Sequence, residues 1–345
     1  MRFHPRSVLA AAALCSMCLP ALASSLTPQQ VLQQFNLVTF SDLVTSSDVE
    51  GRTWVGGNAQ GGNFVQRPLP ASNYAAVTVI GNLNGQNVDA GSVWVGGNIS
   101  NVNVNGNGGT GGGVVLGNAS NGNFNGAVPS YIAGSVSGVN RNSGVAATIA
   151  SNATLAQINA AANSTDFQTV MTGASSFIGT LGANSSYSIA PSFKATFDAA
   201  PVGGVAIFDI SNDASFFANV NEYTFNLNGA TTVIINTDFA GGAANANFLG
   251  GQAVTLGAKI LWNFSAATTL NFGTQWGGSV LAPLAHVTTV NNIEGALIAN
   301  SATLRGEMHL QSFTGEIPAI PEPGTYALMA LGLVGISVVA RRRKA

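Results

Sequence analysis

Short apolar runs recur along this chain, each closed by glycine and asparagine. Trp54-Val55-Gly56-Gly57-Asn58, Val79-Ile80-Gly81-Asn82, Trp94-Val95-Gly96-Gly97-Asn98 and Leu116-Gly117-Asn118 share the pattern, and Tyr131-Ile132-Ala133-Gly134-Ser135 is a looser copy. Val, Ile and Trp suit pleated strands, while Gly and Asn tolerate positive φ and suit corners. Short strands with corners at a loose period of roughly 15 to 25 residues predict stacked coils, a β-solenoid, rather than a sandwich. In Val102-Asn103-Val104-Asn105 alternation places Val on one face and Asn on the other, where Asn can stack as a hydrogen-bonded ladder. Gly106–Gly113 fits either such a corner or a flexible low-complexity loop.

Further strand-like runs follow at Val205–Ile210, Tyr223–Leu227, Thr232–Asn236, Ile260–Phe264, Thr268–Phe272, Ser279–Ala282, His286–Val290 and Ala296–Ala299. Gly278–Ala282 and Gly295–Ala299 match in pattern 17 residues apart, the length of one compact three-sided coil. Parallel stacking then sets Val280 beside Leu297, or Leu281 beside Ile298. Two segments have a helical period instead. Thr27-Pro28-Gln29-Gln30 is a capping box with Pro at the first helical position, and Val31, Leu32 and Phe35 mark one face. Phe167, Val170, Met171, Ala174, Phe177, Ile178 and Leu181 form a longer apolar stripe, with Ser164 placed to cap its start, Asp166 in the first turn and Gly182 at its end. The expectation is an all-β solenoid with one α-helix packed alongside, plus helices at the two ends of the chain.

Those ends read as processing signals. Arg2 and Arg6 precede the apolar run Val8–Leu19, and Ala21 and Ala23 supply an Ala-x-Ala cleavage site, so residues 1–23 are a secretory signal peptide. Both cysteines, Cys15 and Cys18, fall inside it. A linker at 318–323 carries Pro321-Glu322-Pro323, and 324–345 is a short apolar segment ending in Arg341-Arg342-Arg343-Lys344. The apolar stretch is near the lower length limit for a transmembrane helix, and its basic end would stay cytoplasmic. This tripartite tail resembles the PEP-CTERM sorting signal of Gram-negative bacteria. That resemblance implies an exosortase and the secretion machinery as partners, and a transient inner-membrane stage.

Composition narrows the function classes. Only 8% of residues are charged, but 46% are hydrophobic, so the chain has enough apolar surface for a core despite 42 Gly and 35 Asn. Between the two end segments, six basic and thirteen acidic residues leave about −7, which excludes a nucleic-acid-binding surface. No Walker loop, His-Glu-x-x-His or Gly-x-Ser-x-Gly occurs, so no catalytic, cofactor or metal residue is assigned. Glu307 and His309 share a strand face, and His286 could approach them. A polar cap on the end of the solenoid is the expected role of that group, with a metal or acid–base site as the alternative. Asp48 with Glu50, and Asp209 with Asp213, are candidate cation pairs against a default of solvated carboxylates. Each of Thr231-Thr232, Thr268-Thr269 and Thr288-Thr289 offers one outward Thr, and Thr-x-Thr repeats are absent. Trp54, Trp94, Trp262 and Trp276 fit a buried core better than a sugar platform.

Asp48-Val49-Glu50-Gly51-Arg52, Ile260–Phe264, Gly278–Pro283, His286-Val287, Ile298–Asn300 and Gly306–His309 with Phe313 look like the choice-of-anchor A domain of bacterial surface proteins. The resemblance covers nearly all of residues 30–317. Ser265 stands where that family often has Pro. The second half is also similar to the solenoid of ice-binding-like bacterial adhesins, in which an α-helix runs beside the coil. These resemblances imply a domain at 24–317 on the cell surface or in the extracellular matrix, adhesive or scaffolding in role and non-enzymatic. Its ligands would be exopolysaccharide or another surface. The alternative is an ice- or carbohydrate-surface binder.

Overall fold

The computed structural model describes residues 24–107 and 110–318. The apolar triplets Thr53–Val55, Val77–Val79, Val93–Val95, Gly113–Val115 and Ser130–Ile132 stack as parallel rungs. They form one side of a three-sided β-solenoid. In each triplet the outer two residues point inward and the middle one outward. Val55, Val79, Val95 and Val115 thus line the core, while Trp94 and Val114 face away from it. The second side carries Leu43–Thr45, Ala59–Gln60 and the starts of Leu83–Ala90, Ile99–Asn107, Ala119–Phe124 and Val136–Arg141. The third carries Asp48–Val49, Asn63–Phe64 and the remainders of those long strands.

The order of coils along the axis does not follow the chain. Leu37–Thr39 pairs on one flank with Thr53–Val55 and on the other with Leu297–Ala299. The chain begins in the middle of the stack and winds out to Val136–Arg141. It then crosses to the far end at Val205–Asp209 and winds back through Thr232–Thr237, Ile260–Phe264 and Ser279–Thr289. The matched segments are parallel, and both expected contacts form: Val280 opposite Leu297 and Leu281 opposite Ile298. In the far coils a second sheet runs Ser186–Ile189, Lys194–Asp198, Glu222–Asn226 and Asn247–Phe248; its last three strands stack in parallel and its first lies at the edge. Its first two strands are antiparallel, which blocks further parallel stacking. Asn184 seals the neighbouring edge, accepting from Ile207 N at 2.8 Å and donating to Val205 O at 3.0 Å.

Helices cover the first side. Helix α1 (Pro28–Gln34) has the expected capping box, and its Val31 and Leu32 are buried with Phe35. Two helices, not one, follow the first half. Helix α2 (Ala153–Ala161) seats Leu155 and Ile158 against Trp94 and Val114. Helix α3 (Phe167–Gly179) lays Phe167, Met171, Ala174 and Ile178 on Ile234, Leu261, Leu281 and Ile298. The cap of α3 is Asp166, which accepts from Thr169 N at 3.0 Å and Oγ1 at 2.7 Å. These bonds hold its carboxyl below the ordinary range. Ser164 instead bonds the Tyr74 hydroxyl at 3.0 Å, because a short non-helical break separates α2 from α3. A buried amide clamp fixes α3 to the sheet. Ser175 donates to Asn263 Oδ1 at 2.6 Å, Asn263 Nδ2 donates to Ser175 O and Asn236 Oδ1, and Asn236 Nδ2 donates to Ile178 O.

The glycines of the Gly-Asn corners between the first and second sides answer to a different constraint from the expected one. Gly57, Gly81, Gly97, Gly117 and Gly134 stack on one another, and none has positive φ. A Cβ on Gly117 would lie 2.5 Å from Gly97 O, and one on Gly134 2.6 Å from Gly117 O. Close approach of rungs, not backbone handedness, selects glycine there. Handedness rules the next corner, where Gly85, Asn101, Asn121 and Gly138 occupy equivalent places in successive coils with φ of 67°, 58°, 52° and 63°.

Candidate functional site

The asparagines stack as the alternation predicted. On the third side Asn63 Nδ2 donates to Asp48 Oδ1 at 2.9 Å, Asn87 to Asn63 at 2.8 Å and Asn103 to Asn87 at 3.1 Å. Asn123 and Asn140 extend the run at 2.6 and 2.7 Å. The acceptor-only carboxylate of Asp48 orients the series: Asn63 must offer N–H, and every later amide then points the same way. A second ladder at the corner before the second side runs from Asp42 through Asn58 and Asn82. Asn98 N, Asn118 N and Ser135 N continue it, each accepted by the preceding asparagine.

The second side carries no helix and presents an ordered outward column. Ala243, Asn271, Thr288, Thr303, Val44, Gln60, Asn84, Ser100, Ser120 and Ser137 stand in register on ten successive coils. At ~4.8 Å per coil the array is about 43 Å long. None of the ten is charged, and all are exposed or half-exposed. Thr269, His286 and Ser301 head the adjoining column. Of the threonine pairs, Thr231-Thr232 and Thr288-Thr289 each bury one member, whereas Thr268 and Thr269 are both exposed.

The candidate chemical residues fall in separate places. His309 lies between two carboxylates, Nδ1 at 2.7 Å from Glu294 and Nε2 at 2.9 Å from Glu307. Burial disfavours its charged form, but the hydrogen bonds to Glu307 and Glu294 and the charges of Glu294 and Glu50 outweigh this and raise its pKa. Gln275 and Gln311 also donate to Glu294, at 2.6 and 2.9 Å. This group is not a cap on a solenoid end. It sits mid-stack, where Met308–His309 meets Asp48–Val49. His286 does not join it; on the second side it contacts Ser301 at 2.7 Å and Thr303 at 3.3 Å.

The proposed cation pairs are engaged elsewhere. Glu50 accepts from Arg67 at 3.1 Å and Leu310 N at 2.9 Å, and Asp48 serves Asn63. Asp209 and Asp213 each accept from the backbone two residues on. Among the described residues no group of three or more His, Cys, Asp or Glu is placed to hold a metal ion. Trp262 and Trp276 are fully buried in the core. Trp94 packs under α2 and donates to Asn159, while Trp54 is half-buried on Phe167. Ala21, Ala23, Pro321, Glu322, Pro323, Arg341, Arg342 and Arg343 lie outside the described residues. Among the described residues, no helix is long and apolar enough to cross a membrane.

A helix-backed parallel solenoid with one long, ordered, uncharged column on its bare side defines a β-solenoid repeat protein. The profile of the ice-binding-like adhesive domain matches residues 28–310, and the chain belongs to that family. Residues 319–344 match the PEP-CTERM protein-sorting motif. The protein is therefore exported to the cell surface, carries an adhesive-type domain, and is a substrate for exosortase processing. No curated protein and no solved structure matches the chain.

Proposed function

We propose that the chain is a non-enzymatic adhesin or scaffold of the cell surface and extracellular matrix that meets its target through the second side. The observation behind this is the ten-coil column from Ala243 to Ser137. Eight of its ten positions, all but Ala243 and Val44, carry neutral hydroxyl or amide groups at the spacing of the coils. Such an array suits a target that itself repeats, and exopolysaccharide offers matching hydroxyls. Ice is the weaker target, because only Thr288 and Thr303 supply threonine methyls to the column. The test replaces Asn84, Ser100 and Ser120 together with Glu. Retention in the matrix should fall sharply while secretion is unchanged. Retention equal to wild type would remove the second side from the adhesive role.

In the same reading, residues 1–23 are a signal peptide cleaved after Ala23. Residues 24–317 are the mature body, 318–323 a linker, and 324–345 a helix that dwells briefly in the inner membrane of a Gram-negative cell. Exosortase recognises Pro321-Glu322-Pro323, and Arg341, Arg342 and Arg343 hold the tail on the cytoplasmic face. Changing Pro321, Glu322 and Pro323 to Ala should leave unprocessed protein in the inner membrane. An unaltered mature C-terminus by mass spectrometry would remove this assignment.

A further inference from the structure

A cavity of about 850 Å³ opens between the loop 66–75, the corner 89–92 and helix α2, a volume within the range of small-molecule sites. Arg52 forms part of its wall and is 5% exposed. Its Nε donates to Ala75 O at 3.2 Å, and Nη1 donates to Gln34 O and Pro70 O at 3.2 and 3.0 Å. Nη2 has no protein acceptor among the described residues, and no carboxylate there pairs with the guanidinium. Burial brings the pKa of Arg52 down to about 10, so it is still a cation at neutral pH. A buried cation answered by three carbonyl dipoles and the face of the Phe35 ring, 5.9 Å from its Cζ, but by no counter-charge, is costly. The free edge of this planar fork is where a planar anion is best accepted.

The other charges set the ligand's character. Arg67 at the rim is already paired with Glu50 at 3.1 Å. Asp89, also lining the cavity, accepts from Asn105 at 3.1 Å and would repel a second negative group. The remaining wall mixes apolar Pro68 and Leu69 with polar Ser72 and Gln157, a surface suited to a sugar ring and its hydroxyls. We infer that this cavity binds a glycan unit bearing a single carboxylate, a uronic acid, with the carboxylate on Arg52. The site is distinct from the second side and goes beyond the adhesive reading given for it.

The test is calorimetric titration of the full chain in mild detergent with three probes: a glucuronosyl-glucose disaccharide, the matching neutral diglucoside, and acetate. The acidic disaccharide should bind at about millimolar concentration and at least about tenfold tighter than either comparison. Ala71→Trp and Gln157→Trp, both at exposed positions lining the cavity, should abolish that binding with unchanged melting curves. Arg52→Lys should weaken it about tenfold or more. The triple Glu variant of the second side should bind as wild type, so this site and the adhesive reading can fail separately. Equal binding of the acidic and neutral disaccharides would overturn the role of Arg52. Acetate binding as tightly as the disaccharide would overturn the sugar. Undiminished binding by both folded Trp variants would overturn the location.

Discussion

Replacing Gly117 with alanine tests whether rung contact is what places glycine at the Gly-Asn corners. The new Cβ would lie 2.5 Å from Gly97 O, 2.6 Å from Gly97 C and 2.7 Å from Asn98 Oδ1. Two of those atoms are backbone, so no flexible side chain can swing away. Relief requires the two coils to part by about half an ångström or more. The Gly117 N to Gly97 O bond, now 3.0 Å, would stretch beyond useful range, and Asn118 N would pull away from Asn98 Oδ1 at 2.9 Å. Two weakened bonds cost about 1 kcal/mol each, and overpacking adds about 1–3. The stiffer unfolded chain returns about 0.4–1. The net loss is about 2–4.5 kcal/mol. Gly173→Ala is the control: that glycine lies inside α3 with nothing within 4 Å of the place a methyl would take, and the change should stabilise by about 0.5–1 kcal/mol. Denaturant unfolding measures both, and hydrogen exchange should show faster opening of residues 113–146 in the first variant, since solenoid ends melt locally. If both variants gained stability alike, close approach would not be the reason for glycine at this corner.

Met171 is fully buried under α3, so Met171→Asp should cost on the order of 3 kcal/mol or more; an unchanged denaturation midpoint would place the stripe in solvent. Asn263→Ala orphans Ser175 and Asn236 in the buried clamp and should cost about 2–4 kcal/mol. Asn82→Ala, on an exposed ladder, should cost under about 1, and equal losses in the two would contradict the clamp. His309 has a folded pKa raised above its ordinary value, so its contribution is complete below about 6.5. That contribution is lost as pH rises through the folded pKa. His309→Gln should flatten this part of the stability–pH curve; an identical slope in wild type and variant would show that His309 does not titrate with folding.

Much of the solenoid was legible because its coils repeat local chemistry. Gly278–Ala282 and Gly295–Ala299 share a pattern, and the 17-residue offset gave their register. The Val-Asn alternation at 102–105 likewise gave the Asn103 ladder. The order of coils was not legible. Leu37–Thr39 is a short apolar run like any other, and nothing in its composition marks Leu297–Ala299 as a neighbour. Helix α2 was not legible because Ala153–Ala161 is mostly small residues, with Leu155 and Ile158 its only large apolar side chains. The His309 group was legible only as Glu307 with His309. Glu294 reaches it through coil stacking, and the same stacking holds His286 on another side. Arg52 was not legible because nothing in its neighbours marks a lone arginine as buried; Glu50, two residues before it, pairs with Arg67 instead.

The mid-stack start of the chain makes completion of the body a matter of timing. An ordinary solenoid lengthens by adding coils to a finished edge. Here the coil at Leu37 waits for a partner 260 residues later, at Leu297, and such distant pairing is slow to form. Until that strand arrives, both halves carry a raw, unpaired edge. The last coil is thus a latch: Phe313 N reaches Leu32 O, and Glu316 N reaches Thr232 Oγ1, tying the end of the domain to both halves at once. A chain cut short before Leu297 would not lose a tip. It would hold two half-stacks with exposed edges facing each other, able to pair with neighbours instead. For an exported chain whose sorting motif follows within a few residues of that latch, the emergence of the tail and the locking of the body come at nearly the same moment.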